Sequence, residues 1–400
     1  MALNIKVGPI GALDMLKFKN QVKKRNQIID STTPAPLPEE YGTNARARAL
    51  HPKAQTLLVK EVRQHQPDVK SYLLGREDGE PTAYFRAGQY LSVRLSIGGS
   101  EITRPYSISS APQLALQGNY WITVKRTSPG FASDYILENW QEGTAVNVSG
   151  PEGEFYYEPL RDAKTVIGLA GGSGITPFLS MAYAIRDAAE DFNLTVLYGS
   201  RTKEDILFAD EFAAIEKECP KVHLVNVLSD EEKEGMEHGF LTASLIQKYA
   251  GEEPFSVFAC GPSAMYHFLD TELPKLNLEQ KYIRRELLGA EKQPWTLPGY
   301  PTDKKDQIFQ LTVKYVGNEK VIEASANEPV LVAIERAGIA APSHCRSGEC
   351  GYCHSRLVSG EVYIPEVSDG RRAADKEYGY IHPCASYPIS DLVIELPGVY

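Results

Sequence analysis

Between Gln55 and Tyr157 apolar and polar positions alternate in short runs. The segments Gln55–Val62, Gln89–Leu95, Tyr120–Lys125 and Ala145–Ser149 mix β-branched and aromatic residues and are separated by turn residues. That pattern predicts a small antiparallel barrel or sandwich. The texture changes at Asp162. Thr165–Ala170 is a continuous apolar run, the pattern of a strand buried on both faces, and similar runs recur at Leu194–Gly199, His223–Leu228 and Ser256–Cys260. Helical stretches at Ala209–Glu218, Thr242–Tyr249 and Ser263–Leu273 alternate with them, which predicts a doubly wound α/β domain. Gly289–Gln307, with Pro294, Pro298 and Pro301 among Lys and Asp, is expected to be a semi-rigid linker. The last block, from Ile308, has strand-like ends at Ile308–Tyr315 and Leu392–Leu396.

The first fifty residues follow neither pattern. Leu13, Met15, Leu16, Phe18 and Val22 are expected on one helical face, with Lys17, Lys19, Lys23, Lys24 and Arg25 on or beside it, before a Pro-rich stretch at Thr32–Glu40. Such a segment packs on its own domain or frays in solvent, or it docks an acidic partner or a membrane surface; an organelle transit peptide is a third reading. The expected division is therefore an N-terminal extension (1–50), a β domain (51–160), an α/β domain (161–288), the linker (289–307) and a C-terminal domain (308–400).

Composition narrows the function. Acidic residues outnumber basic ones by 52 to 42, a net charge of −10 that argues against nucleic acid as a partner. No run is long and apolar enough for an integral membrane segment, and the first thirty residues lack a secretory signal, so a cytoplasmic setting is expected. Six cysteines are too few for a disulfide scaffold, yet four fall in the last sixty residues.

Those four are spaced C-x4-C-x2-C at Cys345, Cys350 and Cys353, with Cys384 after thirty intervening residues. Plant-type [2Fe–2S] clusters use this spacing, because two irons need four thiolates and one tight loop supplies three. Gly348 and Gly351 suit that loop. A structural zinc site usually brings two C-x2-C pairs instead. The stretch Cys-Arg-Ser-Gly-Glu-Cys-Gly-Tyr-Cys resembles the cluster loop of plant-type ferredoxins, and the resemblance implies these four cysteines as ligands and one-electron carriage as the task.

Three further motifs stand upstream. Ala170–Pro177 (Ala-Gly-Gly-Ser-Gly-Ile-Thr-Pro) lies between a buried strand and a helix, where small residues let a pyrophosphate approach the amides of a helix N-terminus. Cys260-Gly261-Pro262 closes a later strand at the same edge, its cysteine either part of that cleft or a small buried apolar residue. Arg104-Pro105-Tyr106-Ser107 is expected as a turn leading into a strand at Ile108–Ser110. Its Arg suits a phosphate, its Tyr a flat ring and its Ser a ring nitrogen or oxygen. Lys125, Gly130 and Ser133 are candidates for a second phosphate nest.

Taken in order, Arg-Pro-Tyr-Ser, Gly-Phe-Ala-Ser, Gly-Gly-Ser-Gly-Ile-Thr-Pro and Cys-Gly-Pro resemble the ferredoxin–NADP reductase superfamily over about 55–288. With the C-terminal block the chain is similar to oxygenase reductase components of the phthalate dioxygenase and vanillate demethylase reductase type. The resemblance implies a multidomain fold: an antiparallel β-barrel flavin domain, a doubly wound α/β nicotinamide domain and an α+β, β-grasp-like ferredoxin domain. It implies that Arg104, Tyr106 and Ser107, flanking Pro105, hold the flavin, with Ser107 near N5, and that Gly130 and Ser133 take its pyrophosphate or terminal phosphate. Gly171, Gly172, Gly174 and Thr176 would bind the nicotinamide cofactor, with Cys260, Gly261 and Pro262 near its ring, so that Ser107 and Cys260 flank hydride transfer. FAD is preferred, with FMN as the alternative.

The choice between NADH and NADPH turns on the ribose 2′ position. Asp230, in Ser-Asp-Glu-Glu after the third α/β strand, would bond a 2′-hydroxyl and repel a 2′-phosphate, whereas Ser200-Arg201 after the second strand would grip a phosphate. NADH is favoured. The expected function is an NAD(P)H-dependent iron–sulfur flavoprotein passing electrons to a partner redox protein. The alternatives are a free-standing reductase of a small molecule and an electron-transfer subunit of a permanent complex. Residues 1–50 and the surface at Tyr352 and His354 are the candidate docking sites.

Overall fold

The computed structural model describes residues 9–32, 41–128 and 130–398. The chain divides into two compact units, Met1–Ala47 and Arg48–Tyr400. The first is dominated by α1 (Pro9–Ser31), followed by α2 (Gly42–Leu50) at the junction. In α1 the side chains of Leu13, Phe18, Val22, Ile28 and Ile29 are exposed, among Lys19, Lys23, Lys24 and Arg25. At 3.6 residues per turn Leu13 and Phe18 project about 140° apart, so they do not share the single apolar face expected. The side chains of Met15, Leu16 and Lys17, and residues 33–40 of the Pro-rich stretch, lie outside the described residues.

The second unit opens with six strands: β1 (Gln55–Gln66), β2 (Val69–Gly75), β3 (Tyr90–Ile97), β4 (Ser100–Ser107), β5 (Asn119–Lys125) and β6 (Ala145–Val148). They form one antiparallel sheet in the order β4-β3-β6-β1-β2-β5. A bridge between Ile108 and Ile122 ties its first strand to its last, curling the sheet into a barrel around Leu57, Tyr72, Leu91, Tyr120 and Ile122. The helix α3 (Ala132–Asn139) plugs one end, the Tyr72 hydroxyl donating to the Ile136 carbonyl at 3.3 Å.

The α/β domain consists of β7 (Thr165–Gly171), α4 (Thr176–Arg186), β8 (Asn193–Ser200), α5 (Ala209–Glu218), β9 (Val222–Leu228), β10 (Glu237–His238), α6 (Ala243–Ala250), β11 (Phe255–Cys260), α7 (Ser263–Glu272) and β12 (Ile283–Arg285). All neighbours in the sheet, ordered β10-β9-β8-β7-β11-β12, run parallel. Residues of β7 alternate between two apolar layers. Val166 and Ala170 face the layer with Phe178 of α4 and Phe212 of α5, while Ile167 and Leu169 face Ile246 of α6 and Leu269 of α7. That two-sided burial accounts for the unbroken apolar runs.

The C-terminal domain comprises β13 (Ile308–Tyr315), β14 (Asn318–Ser325), α8 (Val330–Arg336), β15 (Ser355–Ser359), β16 (Val362–Tyr363), α9 (Ala373–Glu377), β17 (Tyr380–Ile381), β18 (Tyr387–Pro388) and β19 (Leu392–Glu395). A five-stranded sheet in the order β14-β13-β19-β15-β17 sets its first and last long strands side by side and parallel, and α8 packs Ala333 and Ile334 on Leu311, Val313 and Ile394. This is the β-grasp expected.

Residues 289–307 do not hang free as a spacer. The Tyr300 hydroxyl donates to the Ala326 carbonyl (3.1 Å), and Tyr363 and Tyr387 donate back to the carbonyls of Pro298 (2.9 Å) and Glu291 (2.6 Å). Three tyrosine hydroxyls thus fasten the segment to the C-terminal domain. Among the described residues no helix is long and apolar enough to cross a membrane.

Candidate functional site

The Arg-Pro-Tyr-Ser motif is not a turn. It is the end of β4, and in place of the strand expected at Ile108–Ser110 only Ile108 pairs, in a single bridge to Ile122, before the chain bends away at Ser110. A proline is tolerated there because β4 is the first strand of the sheet order, where a missing N–H breaks no second ladder. Strand alternation sends Arg104 and Tyr106 to one face and Thr103, Pro105 and Ser107 to the other. The Arg104 guanidinium donates to the Thr103 carbonyl at 2.7 Å. Burial, and then the nearby Arg346, push its pKa down to about 10, so it remains a cation in a site that strains to hold one. An anion such as a flavin phosphate answers that strain.

Gly130 and Ser133 lie at the N-terminal end of α3. The Ser133 hydroxyl accepts from the Thr127 amide at 3.2 Å. A Cβ on Gly130 would stand 2.5 Å from the Asp134 carboxylate, whose charge is balanced by Arg126 (2.5 Å). Lys125 ends β5, five residues before Gly130.

The glycine-rich turn and Cys260-Gly261-Pro262 meet as expected. Parallel pairing of β7 with β11 sets Ala170 opposite Cys260, so both motifs leave the sheet at its carboxyl edge. The backbones touch. A Cβ on Gly174 would lie 2.0 Å from the Cys260 carbonyl oxygen, and one on Gly171 would lie 2.9 Å from Pro262. Gly172 has φ +54° with open space around it, and its carbonyl accepts from the buried Tyr198 hydroxyl at 2.9 Å. Thr176 closes the turn by donating to the Ser173 carbonyl (2.9 Å), with α4 starting immediately behind. The result is a bare amide cradle at a helix N-terminus, the shape a dinucleotide pyrophosphate requires.

Sequence reasoning overlooked Glu286. The pairing of β11 with β12 sets Ala259 opposite Arg285, which carries Glu286 alongside Cys260. Glu286 is only 6% exposed, and its amide donates to the Ala259 carbonyl at 2.9 Å. Burial first, then the carboxylate of Glu349, raises its carboxyl far above the usual range. Burial likewise raises the Cys260 thiol, with Glu286 adding to it, so Cys260 is a neutral, polarizable side chain rather than a thiolate. A charged residue placed directly after a short strand was the available signal; its partners lie in two other segments.

At the same carboxyl edge, one strand over from β7, Ser200 ends β8 and Arg201 follows it. Arg201 Nε bonds the Asp230 carboxylate at 2.9 Å, and the Ser229 hydroxyl donates to the other oxygen of Asp230 at 2.6 Å. The phosphate-gripping and phosphate-repelling candidates are thus partners of each other.

The four cysteines come together. Cys345 Sγ contacts the thiols of Cys350 and Cys384, and Cys384 Sγ lies 3.3 Å from Cys353 Sγ. The contacts run Cys350–Cys345–Cys384–Cys353, one connected group of the four thiolate donors that a two-iron cluster needs. The amides of Ser347 and Cys350 point at Cys345 Sγ, each at 3.4 Å. Sharp bends permit this, with φ +61° at Arg346, +88° at Gly348 and +70° at Gly351. A side chain at Gly348 would strike the Ser368 carbonyl at 2.1 Å. Leu331, Ala341 and Ala385 shield Cys353 and Cys384. The donor set and its amides fit a [2Fe–2S] cluster. Of the neighbouring histidines, His344 stacks on Tyr352 (3.5 Å) and bonds Glu152 (2.7 Å), and His354 stacks on Tyr380 (4.3 Å).

The cysteine loop is seated on the barrel. Thr103 of β4 and Ser343 share a buried hydroxyl–hydroxyl bond of 2.6 Å, and the Gly289 amide donates to the Cys345 carbonyl at 3.0 Å. Beneath this seam Arg346 and Glu335 form a buried two-point ion pair, its outer contact 2.9 Å.

Comparison with known proteins agrees with this anatomy. The chain matches an oxidoreductase FAD-binding domain at residues 56–157, an oxidoreductase NAD-binding domain at 169–271 and a 2Fe-2S iron-sulfur cluster binding domain at 313–388. Among curated proteins it is 29% identical to the glycine betaine monooxygenase reductase subunit of Chromohalobacter salexigens, over 78% of this chain and 87% of that one. It is also 29% identical to the ferredoxin reductase component of 3-ketosteroid-9-alpha-monooxygenase from Mycolicibacterium smegmatis, over 84% of this chain and 95% of that one. Among solved structures, phthalate dioxygenase reductase superposes with a TM-score of 0.63 at 28% identity, covering 86% of this chain and 98% of that one.

Proposed function

We propose, from the premise that this chain is a ferredoxin reductase-type NAD(P)H oxidoreductase with FAD-binding, NAD-binding and [2Fe–2S] domains in the phthalate dioxygenase reductase arrangement, that it draws electron pairs from NADH and delivers them singly to a partner redox protein. The observation that carries the reading is the seam itself: the loop bearing Cys345 rests on the strand bearing Arg-Pro-Tyr-Ser, with Cys260 and Glu286 at the adjoining sheet edge. The flavin, once bound, supplies the conversion of a two-electron hydride into single electrons, and the cluster supplies one-electron carriage. Per NADH, two acceptor molecules are reduced and one proton is released.

Each residue set has a task in this reading. Arg104, with Gly130 and Ser133, meets the flavin phosphates. Gly171, Gly172, Gly174 and Thr176 present amides to the dinucleotide, and Cys260, Gly261 and Pro262 border the nicotinamide, with Ser107 on the flavin side. Cys345, Cys350, Cys353 and Cys384 are the cluster ligands. NADH is the donor because Asp230 neutralises Arg201 and is followed by Glu231 and Glu232, an acidic corner hostile to a 2′-phosphate. A reducing cytoplasm suits the four free thiolates. The acceptor is an oxygenase component, as in the relatives whose names describe reductases of monooxygenases.

The test is the visible spectrum of the reconstituted chain under anaerobic conditions, before and after one equivalent of NADH. Bleaching of both the flavin and the cluster bands supports the reading, and a chain that binds both but reduces neither refutes it.

A further inference from the structure

The Thr103–Ser343 bond has no part in folding either domain, since it joins residues 240 positions apart in two different ones. Both residues are almost fully buried, at 7% and 2% exposure. Ser343 is two residues ahead of Cys345, and Thr103 stands on the same strand and face as Ser107, four residues before it. The two hydroxyls therefore connect the strand assigned to the flavin with the loop assigned to the cluster by the shortest polar link in the seam. Around it the backbones meet without side chains between them: a Cβ on Gly338, just past α8, would lie 3.3 Å from the Gly99 carbonyl that precedes β4.

We propose that Thr103 and Ser343 are positioning residues that hold the cluster loop in register against the flavin strand, and so set the rate of electron transfer between them. The proposal rests on the electron-transfer reading above. Each hydroxyl satisfies the other in a place water does not reach, and removing one strands the second. A buried hydroxyl without a partner favours any arrangement that lets water in, so the seated position loses population to an open one. Neither residue touches the amide cradle at Gly171–Thr176 or Cys260, so hydride delivery from NADH is independent of the bond.

The experiment uses the full chain loaded with FAD and reconstituted with its cluster. In anaerobic stopped-flow, Thr103→Val, which keeps the shape and removes the hydroxyl, is expected to slow cluster reduction about fivefold or more while flavin reduction by NADH keeps its rate. Thr103→Ser, which retains the hydroxyl, restores cluster reduction. A second readout is independent of turnover: hydrogen exchange over residues 338–347, the cluster-loop segment that rests on β4, accelerates by a similar factor in Thr103→Val and returns to normal in Thr103→Ser. Unchanged cluster reduction and unchanged exchange in Thr103→Val overturn the proposal, as does an equal fall in flavin reduction, which would place Thr103 in the flavin site. A failure of the unaltered chain to reduce its flavin with NADH instead overturns the functional reading on which the proposal stands.

Discussion

The Glu335–Arg346 pair offers a quantitative test of how the cluster loop is held. Both side chains are about 5% exposed and bonded at two points, and the Arg346 cation is close enough to Arg104 to push the Arg104 pKa down. Glu335 is thus the counter-charge for two guanidinium groups. Glu335→Ala leaves them facing each other without it, and breaking a buried pair by removing one partner costs about 3–5 kcal/mol. For a domain of this size, whose stability falls by about 1–3 kcal/mol per molar urea, that displaces the unfolding midpoint by roughly 2 M. The loss falls on the ferredoxin domain, so loss of the cluster absorbance in a urea titration is expected to move down by that amount while flavin release moves less. Replacing both partners with apolar residues, Glu335→Leu with Arg346→Met, is expected to recover most of the loss, because no charge is then stranded. A displacement under about 0.5 M for Glu335→Ala, the worth of an exposed ion pair, would refute the reasoning.

Four further outcomes follow. Cys384→Ser is expected to abolish the cluster bands and electron delivery to a one-electron acceptor, while NADH still bleaches the flavin. Gly174→Val, forced against the Cys260 carbonyl 2.0 Å away, is expected to raise KM for NADH at least tenfold with the flavin spectrum intact; a normal KM would remove the turn from the dinucleotide site. Asp230→Ser frees Arg201 and is expected to shift the NADH/NADPH ratio of kcat/KM toward NADPH by about tenfold. Burial lowers the His65 pKa, where its ring packs on Phe208 at 4.8 Å across the boundary between barrel and α/β domain. The folded chain therefore resists taking a proton there that the unfolded chain accepts. Stability lost as pH falls from about 7 through the ordinary histidine range is expected to shrink in His65→Gln, and identical melting profiles from pH 7.5 to 5 would contradict this.

What could be read from sequence was what is local. The cysteine spacing, the glycine turn and the buried parallel strands are each specified within a few consecutive residues, and each stands where expected. The Arg104–Ser107 stretch reads locally as a turn and is a strand, and only the place of β4 at the start of the sheet order makes Pro105 harmless there. Glu286 and the Thr103–Ser343 bond were illegible for a different reason. Their meaning lies in partners far along the chain, and no spacing encodes which hydroxyl or carboxylate will arrive opposite. The linker misled through its composition: prolines and charges suggested a spacer, while Tyr300 within it and Tyr363 and Tyr387 far beyond supplied the attachment.

That attachment determines where the chain can be cut and rejoined. Chains of this kind invite domain exchange, and composition places the natural splice at residue 308, where the first strand of the ferredoxin fold begins. A cassette starting there would leave Tyr363 and Tyr387 without the carbonyls they bond, and would discard Tyr300 from beneath Ala326. The transferable module starts at Gly289, whose amide already reaches the Cys345 carbonyl, so recombination, whether by evolution or by design, keeps the nineteen-residue strap with the cluster it binds.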